Sequence, residues 1–182
     1  ANVIASADTA VFRVETTAEV EIFFAVTHCS EEMLHPQFEI DGEKGRIEMN
    51  YEGEAKVVWN DGRREELVVA KGERGVMEDA VRAISIDGGR PAVSLAMARA
   101  QTLCACGTFE SSAIGEIPTE LRRTEADSGR VEVVGMTGWI QHAYASARLF
   151  SELDIGWAVA GRRINLEGYD YFPSFRLDSS SS

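Results

Sequence analysis

Up to about position 70, polar and apolar residues alternate with the period of a half-buried strand. Beyond it the apolar spacing lengthens to that of a helix. Residues 9–16 and 19–28 read as the first two strands, being rich in Val, Ile, Thr and Phe. The second begins with alternation and ends as a continuous apolar run, which predicts a strand buried on both faces near one end. Residues 37–41 and 46–51 flank a glycine-bounded turn, Gly42-Glu43-Lys44-Gly45. Residues 55–60 and 64–70 flank Asp61-Gly62, the strongest hairpin signal in the chain. About six strands are therefore expected before residue 71, antiparallel because their connections are short.

The middle of the chain reads as helical. Val76, Met77, Ala80, Val81 and Ile84 share one helix face, and Asp87-Gly88-Gly89 ends that helix. Ser94 is the expected N-cap of a second helix, which runs through Ala96, Met97, Ala100, Leu103, Cys104 and Gly107 toward Ser112. Its many small residues suit close packing against a sheet. Ile117-Pro118 closes this part, and Asp127-Ser128-Gly129 marks a loop. A third helix is expected from about 135 to 153, with Met136, Trp139, Ile140, Ala143, Ala147 and Phe150 on one face. The aromatic residues Trp157, Tyr169, Tyr171, Phe172 and Phe175 predict a packed tail, and Ser179 to Ser182 a frayed end. The fold class expected is α+β, an open and predominantly antiparallel sheet with helices on one face. Residues 1–178 form the expected single domain, with 179–182 as a disordered serine tail.

Composition narrows the function classes. Eighteen basic residues stand against 30 acidic ones, a net charge of −12, with an isoelectric point of about 4.7. Phosphate backbones are held by clustered Lys and Arg, and this chain has three lysines and no arginine run longer than a pair. Nucleic acid and anionic membrane are thus excluded as expected partners. No apolar run reaches the ~18 residues of a spanning helix, and no signal-peptide pattern opens the chain. Three cysteines, Cys29, Cys104 and Cys106, predict reduced thiols and a cytoplasmic protein.

The candidate chemistry is sparse. Neither Gly42-x-x-Gly45 nor Gly72-x-x-Gly75 has the triple-glycine spacing, between strand and helix, that a dinucleotide site requires. Both read as turn glycines, so no cofactor-binding residue is assigned. His28, Cys29 and His35 could in principle ligate zinc, but adjacent strand residues face opposite sides and no second Cys/His pair has ligand spacing. No metal site is assigned. His28 ends an apolar strand, so it either faces a ligand or is a hydrogen-bonded histidine at a sheet edge. Glu31 and His35 have the spacing to share a helix face, but Pro36 biases His35 away from helix and makes the segment a loop open to substrate contact. Cys104 and Cys106 point about 200° apart on a helix, which argues against a redox pair. No base lies at a suggestive spacing from Ser30, Ser111 or Ser112, so no catalytic triad is assigned.

Several segments together resemble a known family. They are Asp8-Thr9-Ala10 opening a strand, Ile40-Asp41-Gly42-Glu43-Lys44-Gly45, Asp87-Gly88-Gly89-Arg90-Pro91, Ser94, Ala98-Arg99 and Ser111-Ser112. In order and spacing, over residues 8 to 118, they resemble the C-terminal domain of the Gfo/Idh/MocA dehydrogenases. The resemblance implies an open antiparallel sheet that shapes a substrate pocket and builds a homo-oligomer, a dimer or tetramer, through its sheet face. It implies a parent enzyme that transfers hydride between NAD or NADP and a sugar or polyol. The family's Lys-Pro and Asp-x-x-x-His catalytic motifs do not occur here, so no catalytic residue is carried over. The chain is expected to be half of such an enzyme and inactive without the nucleotide-binding half. His28 and His35 are the substrate-side candidates. The alternative is a non-enzymatic binding or assembly module that uses its sheet.

Overall fold

The computed structural model describes residues 6–51, 53–68, 73–86, 89–170 and 172. The expected serine tail, Asp87, Gly88, Gly72, Tyr171 and Phe175 lie outside these residues. The α+β class holds, and the sheets are open and antiparallel. The strands sort into three sheets, of two, four and two strands, rather than into one. The chain divides into two compact units, one of residues 1–33 and 98–182, the other of residues 34–97.

In the first unit, β1 (Thr9–Glu15) pairs with β2 (Glu21–Thr27). Phe12 faces Phe24 across the hairpin with ring centroids 5.0 Å apart, the kind of cross-strand aromatic pair that stabilises a two-stranded ribbon. Thr9 and Thr27, also opposite each other, are joined hydroxyl to hydroxyl at 2.9 Å. β2 is not buried on both faces. Its residues reach intermediate burial at most, and burial becomes complete only past the strand, at Cys29. Two short strands absent from the sequence reading, β7 (Arg122–Thr124) and β8 (Val131–Val133), close a hairpin around the expected 127–129 loop. Three-residue strands are too short to show a period, so they left no pattern to read.

The helix α3 (Met136–Ser146) packs on β2 and carries the middle of the core, where Met136, Ile140 and Ala143 are buried with Val133, Phe150 and Ile155. It stops seven residues before the expected end. Ala147 adopts a left-handed conformation at the C-cap and Phe150–Glu152 form a separate 3-10 turn, so Phe150 reaches the core from outside the helix. Trp157 meets both Trp139 and Phe150 edge-on, each at 5.7 Å. The helix α2 (Leu95–Ser111) starts at the expected cap, with the Met97 amide donating to Ser94 Oγ at 3.2 Å. Its small-residue face meets irregular chain rather than a sheet: Leu166 sits so close to Gly107 that a β-carbon there would lie 3.2 Å from the leucine methyl. Arg99 donates to the Tyr169 carbonyl at 2.7 Å, and Phe109 meets Phe172, so the tail packs as far as it is described.

In the second unit, β3 (Gln37–Gly42), β4 (Gly45–Asn50), β5 (Glu54–Trp59) and β6 (Arg64–Val68) follow one another as a meander. The register sorts the side chains onto two faces of opposite character. Phe38, Ile40, Ile47, Met49, Ala55, Val57, Trp59 and Leu67 share one face, with Glu65 at its β6 edge. The other face carries a ladder of charges. Arg46 pairs with Asp41 at 2.6 Å and Glu39 at 3.1 Å, and Lys56 pairs with Glu48 at 2.8 Å. Only Ala55 and Val57, on the inner strand β5, are buried on the apolar face, while Phe38 and Ile40 stay 51% and 60% exposed. The helix α1 (Glu73–Ser85) also leaves its apolar stripe open, with Met77 66%, Val81 59% and Ile84 86% exposed.

Candidate functional site

The segment from His28 to Glu32 leaves β2 and is held at nearly every residue. The His28 amide donates to the Asp8 carbonyl at 2.9 Å, and the Val133 amide donates to the Cys29 carbonyl at 2.9 Å. The Cys29 thiol, completely buried, donates to Asp8 Oδ2 at 3.0 Å. Burial first, and then the neighbouring Asp8 carboxylate, push the thiol up to about 11. At neutral pH Cys29 is therefore a protonated hydrogen-bond donor and not a nucleophile. Ser30 Oγ donates to the Glu32 carbonyl at 2.7 Å.

Glu31 reaches farthest. One carboxylate oxygen accepts from the Gly135 amide at 2.7 Å and the other from the Thr137 amide at 3.1 Å. Gly135 is the N-cap of α3 and has no side chain with which to cap it, so a residue about a hundred positions upstream supplies the acceptor. These amides, Gly135 foremost, hold the Glu31 carboxyl below its ordinary range. The Glu32 amide adds a bond to Thr137 Oγ1 at 3.2 Å. The opposite end of α3 is held from β1, where Arg13 donates to the Ala147 carbonyl at 2.7 Å and pairs with Glu152. The β1–β2 hairpin thus supplies a cation at the negative end of α3, and the segment that leaves it an anion at the positive end.

His28 is exposed on this base, immediately past the end of β2. His35 is exposed as well and belongs to the other unit. Glu31, whose spacing from His35 suggested a carboxylate–imidazole pair, gives its carboxylate to α3 instead. The segment is a loop, as Pro36 indicates.

The Gly42–Gly45 turn joins two antiparallel strands and opens no helix. It therefore lacks the arrangement that lays a pyrophosphate on a helix N-terminus. Gly75, read as a turn glycine, instead lies in the first turn of α1, which follows β6, so Gly72-x-x-Gly75 does fall between a strand and a helix but without the triple-glycine spacing. A β-carbon on Gly45 would lie 2.5 Å from the Val58 carbonyl oxygen, so glycine is required there by the close passage of β5. Asn60 fastens the turn to the next hairpin, its amide donating to the Lys44 carbonyl at 3.0 Å and its side chain to the Glu43 carbonyl at 2.8 Å. Beside the turn, Lys44, Ile47, Val57 and Trp59 line an open groove of about 390 Å³.

No family model, curated protein or solved structure matches this chain. Among the described residues no group of three or more His, Cys, Asp or Glu side chains is placed to hold a metal ion, and no helix is long and apolar enough to cross a membrane. The chemical possibilities therefore rest on two features. One is the exposed imidazole of His28 on its anchored segment, and the other is the apolar face of the four-stranded sheet. Asp8, Glu31 and Arg13 escaped the sequence reading as positioning residues. Asp8 had a signal in its place at the head of β1; Glu31 had one only in the glycine N-cap of a helix far along the chain.

Proposed function

We propose that this chain is the substrate-side and assembly part of an NAD(P)-dependent sugar or polyol dehydrogenase of the Gfo/Idh/MocA type. In this reading it does not bind the nicotinamide cofactor or turn over substrate by itself. The observation that carries the assembly role is the open apolar face of β3–β6, set against a charged opposite face whose ion pairs are satisfied within the sheet. A contiguous apolar surface of this kind marks a surface that another molecule covers. The ordered motifs from Asp8 to Ser112 support the dehydrogenase side. His28, and more remotely His35, are the residues offered to a polyhydroxylated substrate, where a neutral imidazole can both donate to and accept from a hydroxyl.

Two measurements test this. Sedimentation velocity is expected to show a dimer or larger species at micromolar concentration, and a clean monomer would overturn the assembly role. Fluorescence titration with NADH is expected to show no saturable binding; micromolar binding would contradict the division of labour. The second reading, a non-enzymatic assembly module, is favoured by the same sheet face. It predicts the oligomer without any chemical-shift response of His28 to myo-inositol or glucose.

A further inference from the structure

The second unit exposes two apolar surfaces of matching length. The sheet face of Phe38, Ile40, Ile47, Met49, Trp59 and Leu67 is one. The other is the α1 stripe of Met77, Val81 and Ile84, spaced i, i+4, i+7 beside an open groove of about 410 Å³ that Ile86 also lines. A 13-residue helix is about 20 Å long, and so is a six-residue strand, so the two surfaces match in length. Helix on sheet is also a stable way to bury both.

Their charges match as well. Glu65 stands on the apolar face directly across from Val57, and Lys44 stands at its turn end beside Trp59. Glu78 and Arg82 flank the α1 stripe one turn apart. Each surface thus presents one acid and one base, and among the described residues none of the four makes an ion pair within the chain. Although only residues 69–72 separate β6 from α1, Met77, Val81 and Ile84 of α1 remain exposed. Each copy therefore carries both halves of one interface.

We infer that two copies exchange α1, the helix of each lying on the apolar sheet face of the other, with Arg82 of one copy against Glu65 of its partner. This rests on the assembly role above and names the segment that fills it. The arrangement is isologous, so it closes as a dimer and leaves neither surface open.

Charge reversal tests it, since Glu65 and Arg82 are both exposed and their reversal leaves the core of each unit intact. Glu65→Arg alone and Arg82→Glu alone are each expected to weaken the dimer about tenfold or more, by placing like charges together twice per dimer. Mixing the two single variants is expected to restore it, because both contacts of the mixed dimer then pair opposite charges. Rescue by mixing requires the contact to lie between chains. If only the doubly reversed chain recovers, α1 packs on its own sheet and the inference is overturned. If the native chain dimerises and both reversals are silent, the exchange is wrong but the assembly role stands. If the native chain is a monomer, both fall.

Discussion

Asp8 accepts the thiol hydrogen of Cys29 at 3.0 Å, and so joins the residue just before β1 to the second residue past β2. The bond closes the hairpin at its open end, where a two-stranded ribbon would otherwise fray. It also sets the protonation of the thiol.

Cys29 is expected to resist alkylation. At pH 8 the buried, protonated thiol should react with an aromatic disulfide reagent far more slowly than Cys104 and Cys106, which are partly exposed, and should react readily once the chain is unfolded. Its pKa is raised on folding, from 9.0 to about 11, so its contribution to stability is intact below about pH 9 and is lost as pH climbs toward 11. Urea titrations between pH 8 and 11 should show this loss, and Cys29→Ala should flatten it.

Glu31 gives the opposite pH dependence. Its carboxyl is held below the ordinary 4.5, so the stability it supplies is present above that pH and disappears as pH falls through its folded value. Glu31→Ala is expected to cost about 1 kcal/mol at pH 7, the usual worth of a helix cap. Glu31→Gln keeps an acceptor and should cost less. Denaturation at pH 7 and pH 3 should show the difference between native and variant shrinking at the lower pH.

Arg13 is expected to act on α3 through two partners. Arg13→Ala removes the donor to the Ala147 carbonyl and the pairing with Glu152 together. A double-mutant cycle with Glu152→Ala should return a coupling of about 0.5 kcal/mol, as for a partly exposed pair, leaving the larger share of the Arg13→Ala effect with the helix C-terminus.

Gly45→Ala should destabilise the four-stranded sheet by about 2 kcal/mol, because its β-carbon has no room beside the Val58 carbonyl. Gly42→Ala meets only ordinary contact, at 3.5 Å from the Gly45 carbonyl oxygen, and should cost much less. Thermal melts of the two variants separate a requirement for space from a general preference for glycine in turns. Lys44→Ala should leave the melting temperature nearly unchanged, since the turn is tied to Asn60 through main-chain carbonyls.

Much of the strand content was legible because hairpins are local. Asp61-Gly62 announced the β5–β6 turn, and Gly62 does sit at φ 89°, where a residue with a side chain is strained. The helices were legible in place, though α3 ran too long in the reading, since Ala147 gives no local sign that it will take a left-handed conformation. His28 and His35 were legible as polar residues at a strand end and in a loop. Their separation into two compact units was not, because alternation along a strand says nothing of which sheet the strand joins.

By itself the sequence determined the α+β class and the hairpins of β1–β2 and β3–β6, because each follows from period and turn chemistry over a few residues. Tertiary structure alone decided that Asp8 meets Cys29, that Glu31 caps a helix 104 residues away and that Arg13 reaches Ala147, 134 residues away. Such contacts join groups that share no period and no motif. They exist only once burial has brought separate segments together and left each polar group needing a partner.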